Sequence, residues 1–164
     1  MIKRIVMPCI TIFGLGVIIG MGIASKNLEK RLKWYYKELQ RAWRRERLYD
    51  TWMVARKYGM PMDKFLVEKG INSAAIYGMT QIGEAIYLEL KDTPIEVLYA
   101  IDRNPKWAFP DLPVYSLRDA PEKRVDAVIV ATFMSFDTVK KTLLEKGYQN
   151  ILSIDELLLK LLEK

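Results

Sequence analysis

The hydrophobic rhythm of the chain changes three times. Residues 5–24 read IVMPCITIFGLGVIIGMGIA, 20 positions without a charge. Apolar residues then recur in alternating steps of four and three at Leu28, Leu32, Tyr35, Leu39 and Ala42. That spacing is an a/d seam, the pattern of helices wound around one another. The seam breaks at Glu46 and resumes at Tyr49 and Met53. No Gly or Pro falls between residues 24 and 58, which predicts one long helix. Gly59 can end it, Pro61 can open a short helix over residues 62–69, and Gly70 can close that one. From residue 73 the rhythm becomes an alternation of short apolar runs and amphipathic stretches. Strands are expected at residues 74–77, 95–101, 113–115, 127–131 and 151–154. Helices are expected at residues 82–91, 136–146 and 156–164, with a helical turn near 117–120. The run 127–131 is apolar throughout, as in a strand covered on both faces.

Strand-helix alternation implies a parallel sheet with right-handed crossovers. The expected fold class is α/β: a small parallel Rossmann-like sheet of four to five strands, preceded by a transmembrane helix and a basic helical stalk. The expected parts are an anchor at 1–25, a stalk and helical hairpin at 26–70, and a Rossmann-like domain at 71–164. A sheet domain of some 90 residues suits one mononucleotide-binding half better than a six-stranded dinucleotide fold.

Charge sharpens this division. The formal net charge is +6. Residues 26–47 hold nine Lys/Arg and three Glu, whereas residues 48–164 hold 15 basic and 17 acidic side chains. The basic character belongs to the stalk, which argues against a nucleic-acid-binding domain. Twenty apolar residues are long enough to cross a bilayer of about 30 Å. Basic residues cluster on the C-terminal side of the run, so the expected placement is a single-pass cell-membrane protein with a cytoplasmic C-terminal domain. A cleaved signal peptide ending near Gly22-Ile23-Ala24 and a buried core helix are the alternatives. Gly16 and Gly20 form a GxxxG pair, a candidate dimer face. The stalk has three readings: a short parallel coiled coil pairing two chains, a surface helix on anionic headgroups, or a helix packed on its own domain.

The absent residue types exclude whole chemistries. There is no histidine, so Ser-His-Asp triads and histidine-based metal sites are ruled out. The single cysteine, Cys9, permits no intramolecular disulfide. No catalytic and no metal-ligating residues are nominated. An NAD-dependent oxidoreductase would need Tyr77, Tyr115 or Lys91 as acid or base, and none forms a recognisable pair.

The candidate site is the first strand–turn–helix–strand unit. Gly78, Met79, Thr80, Gln81, Ile82 and Gly83 form the turn, and Asp102 and Arg103 follow the second strand. The dinucleotide fingerprint asks for G-x-G-x-x-G, and here the middle glycine is Thr80. Gly78 allows the tight turn, and Gly83 allows close helix-strand packing. Thr80 adds bulk where a pyrophosphate would lie, although its hydroxyl can donate a hydrogen bond. Asp102 stands 24 positions beyond Gly78, near the spacing of a ribose-binding acid. It serves equally well as a loop cap. Thr132, Ser135 and Asp137 follow the fourth strand as ligand contacts or helix caps. Asp126 reads as a turn residue at the far end of the sheet. Trp107 and Phe109 read as loop aromatics over a ligand or over the core.

The segments IYGMTQIG, VLYAIDRNP, LPVYSLRDAP, VDAVIVAT and GYQNILSIDELL follow one another in an order with known counterparts. Over about residues 48–162 the chain resembles a family of small Rossmann-like domains in bacterial surface-polysaccharide proteins. These include nucleotide-sugar-binding domains of sugar acetyltransferases and cofactor-type domains of epimerases and dehydratases. The resemblance implies that Gly78, Gly83 and Asp102 contact NAD(P) or a nucleotide-sugar. It also implies an accessory role beside a glycan-biosynthesis enzyme at the membrane. The alternative is a non-catalytic interaction scaffold, dimeric through its N-terminal part, with a vestigial pocket.

Overall fold

The computed structural model describes residues 3–105, 111–121, 125–132 and 135–163, with side chains from residue 21 onward. Contacts divide the chain into two compact units, residues 1–44 and 45–164.

The first unit is helical. Helix α1 (Lys3–Lys57) begins there and runs on into the second unit. Every described side chain from residue 21 to residue 47 is exposed except the half-buried Glu38. Here the expected transmembrane helix is corrected: among the described residues, no helix is long and apolar enough to cross a membrane. Where α1 is described with side chains, from residue 21 to residue 57, charge recurs throughout and no uncharged run exceeds five residues. The membrane keywords and the single-pass membrane placement fall with it. The side chains of residues 5–20, including Cys9, Gly16 and Gly20, lie outside the described residues.

The second unit is built on five parallel strands. They are β1 (Ser73–Tyr77), β2 (Glu96–Ile101), β3 (Val114–Tyr115), β4 (Ala127–Val130) and β5 (Ile151–Ser153). Their order is β3-β2-β1-β4-β5, and all four pairings are parallel. The remaining helices are α2 (Met62–Glu68), α3 (Gln81–Leu90), α4 (Phe136–Glu145) and α5 (Ile154–Leu162). Strand pleating sends alternate residues to opposite faces. Ala74, Ile76, Ala100 and Ile129 belong to one core, with α2, α3, α5 and the last turns of α1. Ala75, Tyr77, Tyr99, Ile101, Val128 and Val130 form the other, under Val139 and Leu143 of α4. Burial on both faces explains why β1 and β4 are apolar runs without polar alternation.

Residues 45–57 join the sheet unit through Leu48, Trp52 and Ala55, all buried in its first core. For this stretch the structure matches the reading of a helix packed on its own domain. The helical turn expected near residues 117–120 is a hydrogen-bonded turn instead. The Ser116 hydroxyl donates to Asp119, and the Asp119 N–H returns to Ser116 O at 3.1 Å. A Ser/Asp pair that satisfies itself locally competes with helix propagation.

Candidate functional site

Strand order fixes where a ligand can reach this sheet. The chain leaves β1 toward β2 on one side, while β4 lies on the other, so the order reverses between β1 and β4. In open α/β sheets, ligands bind beyond the carboxyl ends of the strands at such a reversal. Gly78 and Thr132 follow β1 and β4 at that point.

Gly78 adopts φ +94°, a conformation that L side chains rarely take. Its N–H donates to the Ile101 carbonyl at 2.8 Å, and its own carbonyl accepts the Thr80 N–H at 2.9 Å. A Cβ on Gly78 would lie 2.8 Å from Thr132 Cγ2, and one on Gly83 would lie 2.3 Å from the Gly78 carbonyl oxygen. Both glycines are therefore required by the turn's own packing. The turn is closed from the side by Asp102. Its Oδ2 accepts the Met79 N–H at 2.8 Å, and its Oδ1 accepts the Asn104 N–H at 2.8 Å. Its own N–H donates to the Tyr115 carbonyl at 2.9 Å, tying β2 to β3. An ionised carboxylate has about four acceptor positions, so capacity remains after these two bonds.

The nominated residues differ in how they stand to this point, with Gly83 buried behind the turn. Gly78, Met79, Asp102 and Thr132 come together around the reversal point. Met79 and Ile82 are buried in the first core, so their side chains pack and only their backbone can reach a ligand. Thr80, Gln81 and Arg103 are exposed. Thr80 is the N-cap of α3 but forms no side-chain cap bond. The first N–H groups of a helix have no intrahelical acceptor, which leaves an anion-seeking end. Glu84 lies in the same first turn, and with Asp102 it sets two carboxylates beside that end. Thr132 carries the one described side-chain atom that is buried without a hydrogen-bond partner, its Oγ1, as judged among the described residues. Phe133 and Met134, which follow it, and Trp107 and Phe109 lie outside the described residues. Ser135 is the N-cap of α4 without a side-chain cap bond, and Asp137 stands in its first turn.

Two polar centres escaped the sequence reading. Asp126 is more than a turn residue. Its Oδ2 accepts the N–H groups of Asn72 and Ser73, each at 2.9 Å, and its N–H donates to Ser73 Oγ at 3.0 Å. These bonds hold its carboxyl below the ordinary value of 3.8. Glu89 is the second. Trp52 Nε1–H donates to its carboxylate, the Met62 N–H donates at 3.1 Å, and Arg56 Nη1 stands 3.7 Å away. Its side chain is only 6% exposed. The usable signal was its place seven positions after Ile82, on the apolar face of α3. A groove of about 200 Å³ runs beside it between Tyr49, Met53 and Ala85. Another of about 260 Å³ lies near Lys91, Pro94 and Val97, away from the carboxyl ends of the strands. Among the described residues, no group of three or more Cys, Asp or Glu could hold a metal ion.

The second unit is thus a small α/β domain, with a five-stranded parallel sheet and a glycine turn at its order reversal. No protein-family model matches the chain, and no curated protein matches it.

Proposed function

We propose that the sheet unit is a binding module whose ligand, a nucleotide or nucleotide-sugar, sits beyond the carboxyl ends of β1 and β4. The observation that carries this reading is the strand order, which reverses beside the Gly78 turn. The buried, unpartnered Thr132 Oγ1 supports it, because a hydroxyl in that state is costly unless something bonds to it. The N-terminus of α3 has no side-chain cap, so its first amides can meet a phosphate, though Glu84 in the same turn opposes its charge. Asp102 retains acceptor capacity for a ribose hydroxyl. The likeness to nucleotide-sugar domains supplies the choice of ligand class and an accessory role beside a glycan-biosynthesis enzyme. The absence of histidine fits binding more easily than catalysis.

A scaffold without a ligand is the second reading, and one observation favours it. Both oxygens of Asp102 are already bonded by the chain's own amides. Calorimetry of the protein with NAD, NADP, UDP-sugars and coenzyme A separates the two. Binding of one ligand, weakened in Thr132→Val without loss of folding, supports the module. Absence of heat with every ligand, together with a more stable Thr132→Val variant, leaves the scaffold.

A further inference from the structure

We propose that α1 pairs antiparallel with α1 of a second copy of this chain, through Leu28, Leu32, Tyr35 and Leu39. Within residues 1–44 there is one helix and, among the described residues, no other element for this seam to pack on. The four seam side chains are 56, 47, 55 and 66% exposed. Their four-three spacing is not what a lone solvated helix requires. It fits the holes of a helix with the same spacing, and an identical helix supplies that by symmetry.

Charge selects the direction. Arg31 and Glu38 flank the seam one heptad apart, on the same side. In an antiparallel pair with Leu28 opposite Leu39 of the second copy, Leu32 meets Tyr35. Each Arg31 then faces the other copy's Glu38, giving two reciprocal ion pairs. In a parallel pair, Arg31 would face Tyr36, Glu38 would face Trp43, and Glu46 would meet Glu46 at a core position. The antiparallel layers place Ser25 against Ala42 and bury no like charges together between those positions. Glu38 already accepts Arg41 Nη1 of its own helix at 2.5 Å, and its carboxylate has positions left for a second donor. Exposed ion pairs are individually weak, so they set orientation while the apolar seam supplies affinity.

The test uses the full chain and sedimentation equilibrium. Arg31→Glu alone and Glu38→Arg alone should each weaken self-association about tenfold, because both reciprocal contacts become repulsive. An equimolar mixture of the two variants should return to wild-type association, since every contact is again Glu against Arg. Wild-type association of both single variants, or failure of the mixture to recover, overturns the antiparallel pairing. A wild-type chain that stays monomeric at about 100 μM overturns the pairing outright. In a Cys9→Ser background, an intermolecular disulfide between Leu28→Cys and Leu39→Cys chains supports it, and ready Leu28→Cys homodimers overturn it.

Discussion

Gly83 stands nearer to a backbone oxygen than any side chain allows, as its place as the last glycine of the turn motif anticipates. A Cβ there would lie 2.3 Å from the Gly78 carbonyl oxygen, and a backbone atom cannot swing aside as a side-chain tip can. Gly83→Ala should cost on the order of 3 kcal/mol, read as a Tm lower by roughly 6–12 °C. Gly78→Ala clashes with the Thr132 methyl, a side-chain neighbour, and does so at φ +94°, so it adds backbone strain to a softer clash. Equal, small losses in both variants would show that the turn is looser than this packing. Asp126 gives a pH-dependent counterpart. Its carboxyl is held below the ordinary value by two backbone amides and the Ser73 hydroxyl. A depressed folded-state value means that its stabilisation is present above about pH 4 and is lost as pH falls further. Asp126→Asn should therefore be less stable than wild type at pH 7. The gap between the two denaturant midpoints should narrow as pH falls below the ordinary carboxylate range. A gap that persists there would assign the difference to shape instead of charge.

Among the elements, α1, α2 and α3 meet at a single carboxylate. Glu89 takes the Trp52 indole N–H, the first amide of α2 and the nearby Arg56. Removing it leaves two donors shielded from water and lacking an acceptor. Glu89→Ala should cost about 2–4 kcal/mol and first loosen the last turns of α1. Hydrogen exchange over residues 48–57 and Trp52 fluorescence would report this. Loss spread evenly over the sheet would argue against a local clasp. Elements of this kind mark the limit of what sequence could show. The strands were legible because β1 and β4 are apolar runs between turn residues, and the helix stops were legible from Gly59, Gly70 and Gly147. Gly78, Gly83 and Asp102 could be placed at one turn from their spacing. Their bonds could not, since the Asp102 carboxylate reaching Met79 depends on sheet register. Glu89 falls on the apolar face of α3 by spacing, but nothing local names the groups that bury it. Its burial depends on a tryptophan 37 positions away. The apolar run at residues 5–24 suggested an anchor because length and lack of charge are local properties. The correction rests on the described residues, among which no helix is long and apolar enough to cross a membrane.

For the whole molecule, the consequential question is how much of the helical half belongs to the sheet. Residues 45–164 form one compact unit, and its first core includes Leu48, Trp52, Ala55, Met62, Phe65 and Leu66. Burial of a large apolar side chain is worth about 1.5–3 kcal/mol, so the five large ones, leaving Ala55 aside, contribute on the order of 10 kcal/mol. That is comparable with the entire stability of a small domain, about 5–15 kcal/mol. Losing even half of that contribution would leave the sheet marginal. A fragment of residues 45–164 should therefore unfold in one cooperative transition. A fragment of residues 71–164, with β1 near its start, should show none at 25 °C. The face of Ala74, Ile76 and Ile129 would be left partly bare, and binding of a hydrophobic dye should rise with it. Both fragments can be compared by thermal and urea unfolding followed by circular dichroism. If residues 71–164 melt cooperatively at the midpoint of the longer fragment, the two preceding helices are a cover and not a component of the core.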